Sequence, residues 1–236
     1  MDEISQEKVI DLSKFDENDP REHQMKLLVG CGLYYGFRGQ VEHTNLEVSN
    51  FTHGSFPSNH PFSGYDYFGI DGLLDKTHQL SLYKDRVRDT KDCMRVPIMD
   101  NDPTSSDFGG CIKRYLDKLA PGQTRIYCKV KDGTDHKGKT QYFHPNMPLG
   151  KHMISGMFKE AAHILGLPNP EKFTPHSLRA FFITRLANGN GVSDQERMDS
   201  SRHDSVGASA IYQERNVHSE TNKFAALGLK PDKRRR

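Results

Sequence analysis

The sequence predicts an α+β fold that is mainly helical and carries a small antiparallel β-sheet. Several long runs have the apolar spacing of amphipathic helices. Two short segments, 80–83 and 94–98, instead alternate between apolar and polar residues, as strands with one buried face do. Capping residues also mark several helix starts in the last third of the chain. Many helices with few short strands indicate helices packed around a minor sheet.

Composition leaves room for a folded core and argues against several functional classes. The chain has 236 residues, enough to bury a core in one domain or a compact pair. Its net charge of +2 is close to neutral, so any contact with nucleic acid must come from local patches. No apolar run is long enough to cross a membrane, and the acidic, polar start lacks a signal-peptide pattern.

Cysteine and histidine usage predicts an intracellular protein without a bound metal. The four cysteines are scattered and form no CxxC pair, which favours reduced thiols. The twelve histidines invite a metal hypothesis, but no HExxH motif or close Cys/His pairing supports it. We therefore expect no metal and no cofactor.

The first third of the chain predicts an arm, a long helix and a loop. Residues 1–20 are acidic and turn-rich, which is typical of a polar amino-terminal arm. The folded domain is expected over 21–229, and it begins with helical periodicity over 21–39. Residues 40–51 predict a short helix that runs into a strand. Residues 51–67, rich in Ser, His, Gly, Pro and aromatic residues, predict an irregular loop.

The middle of the chain predicts a β-hairpin followed by helices and a basic loop. The segments 80–83 and 94–98 form the two strands of this hairpin, joined by a charged loop. The elements expected after it are a helix over 107–119, a short strand over 125–130, a basic loop over 129–139 and an amphipathic helix over 145–167.

The most informative stretch begins at residue 173 with a strong helix start. Thr174 can cap the helix, and Pro175 suits its first position. His176 and Arg179 then lie in the opening turn, three residues apart and therefore on one face. Free amide hydrogens and the positive end of the helix dipole point the same way, so this turn predicts an anion site. The same pair also occurs on ordinary polar helix faces.

Two further helices are expected within the next forty residues. Ser193 and Glu196 have capping-box spacing and predict the first of them. Arg202 and His203 end it, and the next helix carries Tyr212. Two histidines, an arginine and a tyrosine on consecutive short helices together predict a phosphate-binding site. Taken alone, Tyr212 is typical of a packing tyrosine with a solvated hydroxyl.

The order of these residues resembles the carboxy-terminal signature of tyrosine recombinases, the phage-integrase superfamily. The segments PHSLRAFFITRLANGNGVSDQERM and RHDSVGASAIYQ look most like Crypton-type recombinases and the domesticated domains derived from them. The resemblance implies the DNA breaking-rejoining catalytic fold of that family. It also implies that His176, Arg179, His203 and Tyr212 are catalytic, with Tyr212 as the nucleophile. Arg202, a supporting position beside His203, departs from the family pattern, which more often has glycine there.

A second resemblance lies in the segment YYGFRGQVEHTNLEVSNF, which is similar to the part of the family that carries its first catalytic arginine. By that match Arg38 is catalytic and Glu42 braces the site. Without it, Arg38 is a surface arginine at a helix end, where the dipole favours it. The family places its catalytic lysine in the predicted hairpin. Lys84, at the end of the first strand, is the first choice and Lys91 the alternative, although both also suit ordinary solvated loop charges.

The resemblance implies a site-specific recombinase of a mobile element. Such an enzyme cleaves and rejoins double-stranded DNA through a 3′-phosphotyrosyl intermediate without a metal, as a homo-oligomer, usually a tetramer, on DNA. One alternative is a domesticated, catalytically silent domain that binds DNA or protein on the same fold. Another is a type IB topoisomerase-like enzyme that relaxes DNA. The short spacing from His203 to Tyr212 favours the recombinase over the topoisomerase-like enzyme. An active enzyme is favoured over a silent domain because the full catalytic set is present: Arg38, a hairpin lysine, His176, Arg179, His203 and Tyr212.

The end of the chain offers two further expectations. Phe224 and Leu227 can either cap the core of their own chain or dock on a neighbouring subunit. Residues 230–236, KPDKRRR, form a basic tail that suits phosphate contacts or nuclear import, and many solvated tails look the same. We expect a nuclear protein without membrane contact.

Overall fold

The computed structural model describes residues 10–37, 39–71, 94–131, 142–188 and 227, and these form an α+β structure, as predicted. The helices are α1 (Pro20–Tyr34), α2 (Gln40–Asn45), α3 (Phe108–Asp117), α4 (Lys151–Ile164) and α5 (Pro175–Asn188). The strands are β1 (Phe51–Ser55), β2 (Asp66–Ile70), β3 (Val96–Pro97), β4 (Cys128–Val130) and β5 (Phe143–Pro148). Short 3-10 helices occupy Leu12–Lys14, Val48–Asn50 and Pro170–Lys172.

Helix α1 is the element against which α3, α4 and α5 all pack. Its start is fixed by Asp19, whose carboxylate accepts from the backbone N–H groups of Arg21 and Glu22, with Pro20 in the first position. Nearly all of its side chains are buried, because partners surround it on several sides. At Gly32 a Cβ would lie 2.9 Å from Leu178 Cδ1, so glycine permits the close approach of α5.

Residues 10–20, the second half of the predicted arm, pack against the rest of the fold instead of extending from it. Leu12 and Phe15 are each 1% exposed and belong to the main apolar core. Lys14 Nζ donates to the carbonyl oxygen of Leu165 at 2.7 Å, which ties this segment to the end of α4. The acidic composition gave no sign of this docking, because few apolar side chains carry it: Leu12, Phe15 and the partly buried Ile10.

The irregular loop predicted over 51–67 is wrong, because this stretch contains β1 and the start of β2. The two strands pair antiparallel from Phe51 opposite Ile70 to Ser55 opposite Asp66. Strand β3 adds to the other side of β2, so the predicted strand near residues 94–98 is present but short. Its predicted partner, 80–83, lies outside the described residues.

A second small sheet pairs β4 with β5 in antiparallel orientation. Strand β4 confirms the short strand expected over 125–130, whereas β5 was not predicted. The amphipathic helix expected from residue 145 begins only at Lys151. Pro145 and Pro148 explain the difference, because a proline disfavours helical backbone at the residue before it.

The described helices and sheets share one main apolar core. A smaller cluster of Phe56, Phe62 and Tyr65 fills the loop between β1 and β2. Within the part of the chain that the structure describes, no helix has both the length and the apolar character needed to cross a membrane.

Candidate functional site

Helix α5 begins with a reciprocal cap that sets the direction of its first turn. The backbone N–H of Ser177 donates to Thr174 Oγ1 at 3.2 Å, and the N–H of Thr174 donates to Ser177 Oγ at 2.9 Å. The predicted helix start is therefore confirmed. In this turn the side chain of His176 is exposed, whereas that of Arg179 is buried. The two residues predicted on one face thus meet different surroundings.

The guanidinium of Arg179 reaches the turn that follows α1. Its Nη1 donates to the carbonyl oxygen of Gly36 at 2.9 Å, across 143 positions of sequence. Because Arg179 is only 5% exposed, this charge-assisted hydrogen bond meets little competition from water. It therefore fixes the guanidinium against the backbone of the turn.

Gly36 adopts a left-handed backbone conformation, with φ of 61°. A residue with a Cβ adopts this conformation only at a cost. A Cβ on Gly36 would also lie 2.7 Å from Cε1 of Phe182 in α5, so the phenyl ring occupies that space. Helix α5 thus contacts the turn through both Arg179 and Phe182. In the sequence, Gly36 lies two positions before Arg38.

The residues after this turn bury two polar side chains side by side. Glu42 is 1% exposed and His43 is fully buried. Burial raises the pKa of the Cys31 thiol, a hydrogen bond with Tyr127 opposes that shift, and the charge of the Glu42 carboxylate adds to it. Burial lowers the pKa of His43 to about 3, which keeps its imidazole neutral near pH 7. The ring of His43 packs against that of Phe37, with centroids 4.9 Å apart.

The described part of the predicted site consists of His176, Arg179 and Glu42. Arg179 and Glu42 are buried in α5 and α2, and His176 is exposed at the start of α5. The other predicted site residues lie outside the described residues: Arg38, Lys84, Lys91, Arg202, His203 and Tyr212. The described geometry therefore concerns the arginine of the HSLR motif and the turn that it contacts.

Leu227 packs within its own chain. It is 5% exposed and lies against Phe182, with Tyr34 and Met94 beside the pair. Of the two possibilities left open by the sequence, docking on a neighbour or capping the chain's own core, the structure has the second for this residue. Because Phe182 also contacts Gly36, one ring touches both the turn and Leu227.

A cluster of buried charges near the start of α1 was not predicted from the sequence. Glu17 is 1% exposed and accepts from Arg114 Nε and Nη2 at 2.6 and 2.9 Å. Its Oε1 lies 2.7 Å from Lys26 Nζ, and its backbone carbonyl accepts from Lys118 Nζ at 2.8 Å. Although burial opposes it, these hydrogen bonds and neighbouring charges lower the pKa of Glu17. We call these four residues the Glu17 cluster.

Next to this cluster, Glu17, His23 and Cys111 each offer one ligand atom, all within 4.8 Å of one another. The charges do not suit a cation, because Lys26 and Arg114 already pair with the only carboxylate of the three. His23 Nε2 also lies 3.2 Å from the carbonyl oxygen of Cys111, so it carries the proton of that hydrogen bond and lacks a free lone pair. This group of described residues therefore fits an ion-pair network better than a metal site.

No protein-family model matches the chain, and no curated protein matches it. The resemblance to recombinases rests on the segments around Arg38 and from His176 to Tyr212. The geometric observation that bears on it is the hydrogen bond between Arg179 and Gly36.

Proposed function

We propose that this chain is the catalytic domain of a DNA tyrosine recombinase, a site-specific recombinase of a mobile element. The observation that carries the proposal is the 2.9 Å hydrogen bond from Arg179 Nη1 to the carbonyl oxygen of Gly36. It joins two segments that lie 143 residues apart and that each resemble a recombinase motif. Two accidental resemblances would give no reason for the segments to meet in the fold.

Arginines suit the charge that develops on a phosphate during strand cleavage. A guanidinium stays charged at every relevant pH and offers parallel N–H donors to phosphate oxygens. In the proposed mechanism Arg38 and Arg179 bind the two non-bridging oxygens, a type of stabilisation worth about 3–4 kcal/mol per donor. The bond to Gly36 uses one of the five donors of Arg179 and holds the group in place. Less reorganisation is then needed when DNA binds.

The remaining roles follow from the chemistry of each side chain. Tyr212 attacks the phosphorus and forms a 3′-phosphotyrosyl link while the 5′ oxygen departs. Because a phenolate is a moderate leaving group, this link is reversible, as strand exchange requires. His176 and His203 accept the tyrosyl proton or donate to a phosphate oxygen. Lys84, or alternatively Lys91, protonates the departing oxygen.

The supporting residues and the partners belong to the same proposal. Glu42 braces the turn of Arg38, and its burial in α2 is compatible with that role. Arg202 lies beside His203 in the sequence and shapes its turn. The substrate is double-stranded DNA, the active assembly is a homo-tetramer on that DNA, and the protein acts in the nucleus.

A covalent-trapping assay tests this function. Labelled nicked or supercoiled DNA is incubated with the protein in EDTA, denatured, and separated to detect protein-linked DNA. We expect a protease-sensitive adduct with the wild type and none with Tyr212→Phe. The matched control is Tyr67→Phe, which removes the same hydroxyl from a half-buried tyrosine in β2 and should leave adduct formation unchanged.

Three results would contradict the proposed function. An adduct that persists in Tyr212→Phe would rule out this tyrosine as the nucleophile. DNA binding without any adduct would favour the silent binding domain. An adduct that forms only when Mg²⁺ replaces EDTA would contradict the mechanism, because the proposed chemistry needs no divalent ion.

A further inference from the structure

We propose that His43 is a positioning residue for Arg179 and acts through a buried relay of described residues. The relay consists of Tyr127, His43, Phe37 and Gly36, and it ends at the carbonyl oxygen that Arg179 contacts. Its importance for catalysis rests on the proposed function, whereas its geometry stands on contacts within the fold. His43 lies within the segment YYGFRGQVEHTNLEVSNF, where the resemblance assigns roles only to Arg38 and Glu42.

Tyr127 and Phe158 hold the His43 ring in the first part of the relay. Its Nδ1 lies 3.5 Å from the hydroxyl oxygen of Tyr127, at the long end of hydrogen-bond distances. Its ring also packs edge-on against Phe158 of α4, with centroids 5.5 Å apart. Tyr127 and Phe158 are core residues, 3% and 0% exposed. The imidazole is therefore anchored to residues that have little freedom to move.

The second part of the relay transmits this position to the turn. The His43 ring packs against Phe37, which is 0% exposed, with centroids 4.9 Å apart. The carbonyl of Gly36 belongs to the same planar peptide unit as the N–H of Phe37. A shift of Phe37 therefore reorients the Gly36 oxygen, which accepts from Arg179 at 2.9 Å. His43 thus acts on Arg179 through Phe37 and the Gly36 carbonyl.

The polar character of His43 supports orientation as its role. Its Nε2 is buried and has no hydrogen-bond partner among the residues that the structure describes. An unsatisfied buried polar group destabilises the fold, and a phenyl ring of similar shape would avoid that cost. A phenyl ring, however, offers no atom for the Tyr127 hydroxyl to hold. The imidazole therefore exchanges some stability for a defined ring orientation.

Nuclear magnetic resonance of the Arg179 guanidinium tests the relay without DNA. In the wild type we expect slow solvent exchange and hindered rotation, because the group is buried and hydrogen-bonded. In His43→Phe the exchange should accelerate about ten-fold or more, which corresponds to weakening one charge-assisted hydrogen bond. His152→Phe, the same change at an exposed position of α4, is the matched control and should have no effect.

Two further measurements keep this test specific. Tyr127→Phe removes the hydroxyl that lies 3.5 Å from His43 Nδ1 and 4.0 Å from Cys31 Sγ. It should change Arg179 exchange in the same direction if His43→Phe does not fold. The guanidinium of Arg114 is the internal reference, because it belongs to the Glu17 cluster and not to the relay. A general loosening of the protein would accelerate both arginines.

The catalytic part of the proposal is measured by covalent trapping at saturating DNA. His43→Phe should slow adduct formation by about 10–100-fold, because small displacements of a positioning group have effects of that size. The affinity for DNA should change little, since the Arg179 charge remains. A purely structural role would lower the unfolding temperature and leave the rate unchanged under conditions where the protein is folded.

The outcomes separate the relay from the proposed function. Unchanged Arg179 exchange in both relay variants would overturn the proposal. Faster exchange with an unchanged rate of adduct formation would also overturn it, because the positioning would then have no catalytic consequence. Faster exchange in a protein whose wild type forms no adduct would support the relay and refute the recombinase activity.

Discussion

The turn at Gly36 allows the magnitude of a single substitution to be worked out from the structure. In Gly36→Ala the backbone must keep φ near 61°, which costs about 1–2 kcal/mol for a residue with a Cβ. The new methyl group would lie 2.7 and 2.9 Å from Cε1 and Cδ1 of Phe182. Overpacking of this kind typically costs about 1–3 kcal/mol. We therefore expect the free energy of unfolding to fall by about 2–5 kcal/mol.

Gly64→Ala is the matched control for the backbone contribution. Gly64 also has a positive φ, 84°, but a Cβ there would meet nothing within 4 Å. Its substitution should cost only the backbone part, about 1–2 kcal/mol. Urea unfolding followed by circular dichroism gives both values under the same conditions. Equal losses in the two variants would refute the conclusion that Phe182 fills the space at Gly36.

Two further predictions concern buried charge and pH. Glu17→Gln leaves the buried cations of the Glu17 cluster without a carboxylate and should lower the free energy of unfolding by about 3–5 kcal/mol. The control is Glu160→Gln, which breaks a partly exposed ion pair with Arg21 and should lower the free energy of unfolding by less than about 1 kcal/mol. Similar losses in the two variants would contradict the conclusion that burial makes the Glu17 ion pairs important. Burial lowers the pKa of His23 to about 4 and that of His43 to about 3, so unfolding takes up protons below the unfolded pKa of about 6.5. Stability should therefore fall as the pH drops from 6.5 towards 4, by up to about 1.4 kcal/mol per pH unit for each histidine. Urea unfolding across that range should show a shallower slope in His43→Phe, and an unchanged slope would argue against a neutral buried His43.

The helices were predictable because their signals are local. Asp19 and Pro20 start α1, Asp107 caps α3, and Thr174 starts α5 through its own side chain. Each of these groups acts on backbone within three residues of itself. A capping residue followed by the right apolar spacing is therefore visible in the sequence without knowledge of the fold.

The strands and the buried charges depend on partners far away in the chain, so local sequence did not predict them. The composition of residues 51–55 is typical of a loop, and β1 becomes a strand only by pairing with β2. Glu17 stands in an acidic stretch that is typical of a solvated arm. Its cationic partners come from α1, from α3 and from the residue just after α3. Local composition carries no signal for such pairs.

The sequence could predict the side chains of the candidate site, but it could not predict the backbone carbonyl that Arg179 contacts. The HSLR motif marks Arg179 as a functional residue, but the carbonyl that it contacts has no side-chain signature. Glycine at position 36 was a partial signal, because it permits the left-handed turn. His43 had no signal, since a histidine in a short helix is typical of a solvated side chain.

The apolar residues of the HSLRAFF segment determine where its arginine points. Leu178 packs on Gly32 and Phe182 packs on Gly36, so both pairs keep the same four-residue spacing. This spacing is one helical turn, and it sets the register of α5 against α1 and the turn that follows it. A slip of α5 by one residue would rotate Arg179 by about 100° and remove it from the Gly36 carbonyl. The position of Arg179 therefore depends on the packing of Leu178 and Phe182. Substitutions at Leu178 should displace the Arg179 guanidinium from the Gly36 carbonyl even where α5 remains helical.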